Sequence, residues 1–131
     1  SFHIESIKNI STLINNIHAK KWRASITVSP KTPITEIFDA LPLIDQVLVM
    51  SVVPGFSGQQ VIKDTFTKIQ QLVAYRSKNN LNFSIGIDGG VTAQNIGELD
   101  QLGVDDFAAA ASIFHQPNPV HALQELNTLI E

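Results

Sequence analysis

The run Gln46-Val47-Leu48-Val49-Met50-Ser51-Val52 is almost wholly apolar and gives way to the loop Pro54-Gly55-Phe56-Ser57-Gly58-Gln59. A strand without polar alternation is expected where a parallel sheet is covered on both faces. Parallel neighbours cannot be joined by a tight hairpin, so each pair needs a crossover, usually a helix. One run of this kind therefore commits the chain to alternating strands and helices.

The rest of the chain keeps that alternation. Phe2-His3-Ile4-Glu5 has the look of the end of a strand, and without an initiator Met it suggests a chain that begins partway through a larger fold. Ile7, Ile10, Leu13, Ile14 and Ile17 recur at helical spacing, which predicts a helix from Ser6 to about Lys20. Arg23 to Val28 reads as a strand, stopped by Ser29-Pro30-Lys31-Thr32-Pro33. Thr32 is the expected N-cap and Pro33 the first residue of the next helix, which turns Ile34, Ile37, Phe38 and Leu41 inward. After Gln59 a long helix is expected with Val61, Phe66, Ile69, Leu72 and Val73 as its buried stripe, and with Lys63, Lys68, Arg76 and Lys78 outside. Ile85-Gly86-Ile87-Asp88 is the next strand. Thr92 caps a helix that Gly103 closes, and Asp106 to Ala110 is a last strand. Ala111-Ser112-Ile113-Phe114 fits one helical turn, and Val120, Leu123, Leu126 and Ile130 mark a final helix.

This is an α/β chain of parallel (β/α) units. It carries neither G-x-G-x-x-G nor a P-loop motif. Equal spacing with a loop of ligand-binding type after each strand fits part of a TIM (β/α)8 barrel. At 131 residues the chain is too short for the whole, which takes about 250, so the expected architecture is the C-terminal half or so of the barrel, as one domain over residues 1–131. The hydrophobic fraction of 44% and charged fraction of 16% are those of a globular protein. A net charge of −3 with no basic stripe points away from nucleic acid. No apolar run is long enough to span a bilayer, no signal peptide opens the chain, and the absence of cysteine fits a cytoplasmic setting.

Chemistry in such folds collects at the carboxyl ends of strands. Asp88 sits there, followed by Gly89 and Gly90, which free the backbone for positive φ and for close approach of a ligand. Gly55, Gly58, Gly89 and Gly90 are placed to aim backbone N–H groups at an anion, and the turn from Ala111 to Phe114 lies where barrels often bind phosphate. A carboxylate beside a bound phosphosugar can move a proton next to a carbonyl. The same residues, taken singly, would also make ordinary strand-to-helix turns.

Several stretches together resemble one family. Val47 to Val52, the loop Pro54 to Gln59, and Asp88-Gly89-Gly90-Val91 are similar to the ribulose-phosphate 3-epimerase pattern VLVMSV, NPGFGGQ and DGGV. Phe2-His3-Ile4-Glu5, Pro30-Lys31-Thr32-Pro33 and Gly103-Val104-Asp105 with Ser112-Ile113-Phe114 match further segments in the same order. Hexulose-phosphate 3-epimerases, such as allulose-6-phosphate 3-epimerase, share these motifs. The resemblance implies an isomerase that inverts C3 of a ketose phosphate, D-ribulose 5-phosphate to D-xylulose 5-phosphate. Two aspartates work on opposite faces of C3, and a divalent metal of the zinc, iron, manganese or cobalt class stabilises the enediolate. By residue, it implies that Asp88 is catalytic and a metal ligand, that Met50 lines the site, and that Gly55, Gly58, Gly89, Gly90 and Ser112 hold the substrate and its phosphate.

Departures accompany the match. The family's other aspartate and its metal-binding histidines lie on early strands that would precede Ser1. His3 matches a histidine that is not a metal ligand, and His18, His115 and His121 are expected to serve at the surface. Ala110 and Ala111 stand where the family has Gly-Ser facing the phosphate, and Val53 where a polar residue is usual. The alternative expectation is a non-catalytic relative that binds phosphosugar weakly or needs a complementing chain. A half barrel leaves open sheet edges, so a homo-oligomer or a complementing barrel half is the expected partner.

Overall fold

A computed structural model describes residues 1–53, 55 and 58–130. Pro54, Phe56 and Ser57 of the expected loop lie outside the described residues. Five strands form one sheet: β1 (Phe2–His3), β2 (Ser25–Val28), β3 (Gln46–Met50), β4 (Ser84–Asp88) and β5 (Asp106–Ala108). All are parallel, and their order in the sheet is their order in the chain. Helices α1 (Ile10–Ala19), α2 (Asp64–Lys78), α3 (Ile96–Gln101), α4 (Ala111–Phe114) and α5 (Pro119–Asn127) alternate with them, and a 3-10 segment (Ile34–Leu43) joins β2 to β3.

Strand order without reversal has a direct consequence. Right-handed crossovers that always step the same way put every helix on the same face of the sheet. Ile26, Val28, Val47, Val49 and Ile85 are buried on that face with Ile14, Ile37, Leu41 and Leu72. Ile87 joins a second apolar cluster with Ile69, Val91, Ile96, Leu99 and Leu126. β4 therefore ties the two halves of the core together.

The other face is different. Gln46, Leu48 and Met50 are only half-buried while Val47 and Val49 are fully buried, so the expectation that β3 is covered on both faces is not met. Side chains alternate across a strand, and the helices cover one side of it. The open side is polar at its foot. Ser25 Oγ donates to Gln46 Oε1 (2.9 Å), and Gln46 Nε2 donates across β4 to Asp106 Oδ2 (2.8 Å). Gly86 leaves room for this, since a Cβ there would come within 3.1 Å of Leu48 Cδ1.

Several local expectations are corrected. α1 begins at Ile10, later than Ser6, because the Asn9 side chain accepts from Thr12 N and caps the helix there. Thr32 does not cap the segment after Pro33; its hydroxyl donates to Glu5 Oε1 instead. Lys68 does not lie outside. Its Nζ is drawn in by the carbonyls of Ser29 (3.0 Å), Pro30 (2.7 Å) and Thr32 (2.6 Å). Arg76 is likewise engaged, donating to Asp105 (2.7 Å) and to the Phe83 carbonyl (2.9 Å). Asn95 precedes α3, with Thr92 one turn earlier accepting from Ile96 N (3.0 Å), and Gly103 closes that helix at φ +101° as expected. On α5, Ala122 and Leu126 are buried, whereas Val120 (67% exposed) and Leu123 (46% exposed) face away from the core.

Lys68 and Glu5 together pin the loop after β2 to α2 and to the 3-10 turn, Ile4–Ser6, that follows β1. Partial burial raises the Glu5 pKa, but hydrogen bonds from Thr32 and Ser29 outweigh it and hold the carboxyl at about 2, against an ordinary 4.5. A depressed folded-state pKa stabilises above the unfolded value and loses that contribution as pH falls through the folded one. Glu5→Gln should therefore be less stable than the parent near neutral pH. The difference should shrink as pH drops below the ordinary 4.5 and vanish near about 2, as read by urea denaturation of both proteins.

Candidate functional site

β3 and β4 run in register to Met50 opposite Asp88. Just beyond, the fully buried Ser51 joins the two strand ends. Ser51 N donates to the Asp88 carbonyl (2.9 Å), and its hydroxyl lies within hydrogen-bonding reach of the carbonyls of Asp88 (2.8 Å) and Gly89. The Ser51 carbonyl in turn accepts from Ile62 N (2.8 Å), which anchors the approach to α2. The Asp88 turn is thus held from its backbone. Its half-buried carboxylate has no hydrogen-bonding or ion-pairing partner among the described residues.

The glycines do what that turn requires. Gly89 and Gly90 have φ of +110° and +68°, values that favour glycine. A Cβ on Gly89 would lie 2.3 Å from Val52 Cγ2, and one on Gly90 would lie 2.8 Å from both Gln59 O and Val61 N. The two glycines therefore pack against the loop that follows β3. Gly55 and Gly58 also have positive φ, and among the described residues nothing lies within 4 Å of where a Cβ would sit on either. Asn95 completes the turn, accepting from Thr92 N and donating to the Gly90 carbonyl, both at 2.9 Å.

A cavity of about 550 Å³ opens where these strands end. Met50, Gly55, Gly58, Asp88, Gly89, Gly90 and Ser112, every site residue expected from the sequence, line it. Ala110 and Ala111 line it too, and Ala110 sits at φ −110°, where a Cβ brings no backbone strain. Ser112 lines the cavity, and its Oγ is buried with no hydrogen-bond partner among the described residues.

The sequence matches the ribulose-phosphate 3 epimerase family over residues 1–114. The chain belongs to that family. It is 33% identical over 114 residues to ribulose-phosphate 3-epimerase of Treponema pallidum, covering 87% of this chain and 52% of the relative. It is 30% identical over 128 residues to the Escherichia coli K12 protein of the same name, covering 98% of this chain and 57% of that one. The chain thus spans a little over half the length of these curated relatives. Among solved structures, 3-hexulose-6-phosphate synthase from Salmonella typhimurium superposes with a TM-score of 0.63 at 15% identity, over 92% of this chain and 55% of that one. KGPDC from Streptococcus mutans gives 0.60 at 16%, over 90% and 51%. At these identities the likeness is one of fold. The (β/α) units are part of a TIM barrel.

In this member of the epimerase family the histidines part company. His3 lies 3.5 Å from Glu5 and His18 3.0 Å from Asp45, both away from the cavity. His121 lines a neighbouring groove. His115, expected only at the surface, is exposed but lines the Asp88 cavity, as do Gln59 and Gln116. Sequence reasoning missed these three because each sits in a loop or at a helix end with no periodic signal. Among the described residues no group of three or more His, Cys, Asp or Glu side chains could hold a metal ion. One carboxylate does not make a cation site, so the described residues do not fit a complete metal centre.

Ser51 offers a test of the turn. Ser51→Ala leaves the backbone bond to Asp88 but strips the Gly89 carbonyl of its buried donor. The loss should be about 1 to 3 kcal/mol of stability in thermal or urea unfolding. Gly90→Ala should disturb the cavity more directly, by driving a methyl into Gln59 and Val61.

Proposed function

We propose that this chain carries the acid/base half-site of a ribulose-phosphate 3-epimerase, acting at C3 of a ketose phosphate, D-ribulose 5-phosphate in the first instance. The observation that carries the reading is the placement of Asp88. A carboxylate without a partner among the described residues stands at the end of a core strand, beside two positive-φ glycines, in a cavity of about 550 Å³.

The chemistry follows from that placement. The C3 proton of the ketose is acidified by the neighbouring C2 carbonyl. Asp88 takes it, leaving an enediolate across C2 and C3. Return of a proton to the opposite face inverts the centre. Among the described residues no second Asp or Glu lines the cavity, so the acid for the other face comes from outside this set. The phosphate is received by the backbone N–H groups of Gly55, Gly58, Gly89 and Gly90 and by Ser112. Met50, opposite Asp88 in register, gives the sugar an apolar wall.

The two methyls of Ala110 and Ala111 on the cavity wall favour a second reading, a member that binds phosphosugar without turning it over. The sheet's outer strands favour a partner in either case. β1 is paired only with β2, and β5 only with β4, among the described residues. Paired edges are the stable state of a sheet, so we expect a homo-oligomer or a complementing barrel half, visible by light scattering.

The deciding experiment is epimerisation of ribulose 5-phosphate by parent and Asp88→Asn. The proposal expects turnover by the parent and a loss of about a hundredfold or more in the variant, with substrate binding largely kept. An Asp88→Asn variant as active as the parent would sink the assignment. Binding by the parent without turnover would establish the second reading.

A further inference from the structure

We propose that His115 is a binding residue of the Asp88 cavity, its imidazolium meeting the phosphate of the bound sugar. The inference rests on the proposed phosphosugar site and adds to it the group that supplies positive charge.

Charge accounting comes first. A phosphate monoester carries nearly two negative charges at neutral pH. The cavity already holds the Asp88 carboxylate, and no Lys or Arg is among the described residues that line it. Backbone N–H groups contribute only partial charges. A cation would strengthen the hold on a dianion beside a carboxylate, and His115 is the one basic side chain among the described lining residues.

Position and availability agree with this. α4 begins two residues after β5 and lasts a single turn, so the exposed His115 at its end still lines the cavity, with its backbone N–H donating to the Ala111 carbonyl (3.1 Å). Gly89, Gly90, Ala110, Ala111 and Ser112 line the same space. His3 and His18 are drawn to carboxylates, whereas the His115 ring has no partner among the described residues. Ala111 brings no hydroxyl to this wall, and an imidazolium replaces a neutral donor with a charged one, which makes the stronger hydrogen bond.

The titratable groups nearby set the expected pH dependence. Asp88 faces the cavity from β4, and His121 and Glu125 of α5 line the adjoining groove, which shares Thr92, Ser112 and Gln116 with it. An imidazole ordinarily changes charge between about pH 5 and 8. Phosphate binding that draws on an imidazolium should weaken as pH rises through that range.

The test uses two readouts. First, His115→Gln should raise the Kd for ribulose 5-phosphate roughly fivefold to tenfold near about pH 6, and change it less than about twofold near about pH 8.5, while His115→Lys keeps tight binding at both. An unchanged Kd for His115→Gln near about pH 6 overturns the proposal. Second, NMR of the labelled protein with inorganic phosphate should move the Gly89 and Gly90 amides and the His115 ring signals. Amide shifts with an unmoved ring overturn the role of His115 and leave the phosphate site standing. No shift at either, with phosphate or with ribulose 5-phosphate, overturns both.

Discussion

The union of β3 and β4 at Ser51 is the constraint on which the site depends. Two parallel strands arrive in register, and one buried serine, through its N–H and its hydroxyl, fixes the carbonyls of Asp88 and Gly89. The Asp88 backbone is thereby held while its carboxylate is left without a partner among the described residues. A proton-transfer group needs that combination, since catalysis by positioning fails when the group can swing away or is spent on another contact. Gly89 and Gly90 extend the same logic, because their lack of Cβ lets the turn sit against Val52, Gln59 and Val61.

The sheet gives this junction its setting. Strands added always on the same side place the helices together on one face, so the core lies behind the site. The front face is free to carry Gln46, Asp106, Met50 and Asp88. Structure and chemistry are separated along β4 by alternation alone: Ile85 and Ile87 hold the core, and Asp88 follows where the strand ends. At the opposite end of the strands, Asp105 accepts from Ile85 N (2.8 Å) and Asp45 from Ala24 N (2.7 Å), so carboxylates there secure strand starts. The Ala24 N–H is the main cause holding Asp45 below the usual carboxylate range.

Much of this was legible in the residues. Apolar runs at Val47–Val49 and Ile85–Ile87 announced the central strands, and the Asp-Gly-Gly sequence announced the turn, because both signals are local and follow from backbone sterics. The family motifs single out Met50, Gly55, Gly58, Asp88, Gly89, Gly90 and Ser112, and all seven line one cavity. What escaped was tertiary. Lys68 and Arg76 look like solvent-facing charges by helical spacing, yet distant backbone carbonyls draw them in. Thr32 has the chemistry of a cap, but a carboxylate on another strand's loop competes for its hydroxyl. His115 belongs to the cavity only because α4 stops after one turn. The one-sided cover of β3 was hidden because Leu48 and Met50 are as apolar as the buried valines between them.

The central claim is that the Asp88 carboxylate moves the C3 proton of a ketose phosphate. Incubating ribulose 5-phosphate with the protein in D2O and following the C3 proton by NMR tests it most directly. The account predicts loss of the C3 signal through exchange with solvent deuterium in the parent protein, and its retention when Asp88 is replaced by Asn. Exchange that persists undiminished without the Asp88 carboxylate, or a folded parent that binds the sugar and leaves the C3 proton untouched, would contradict it.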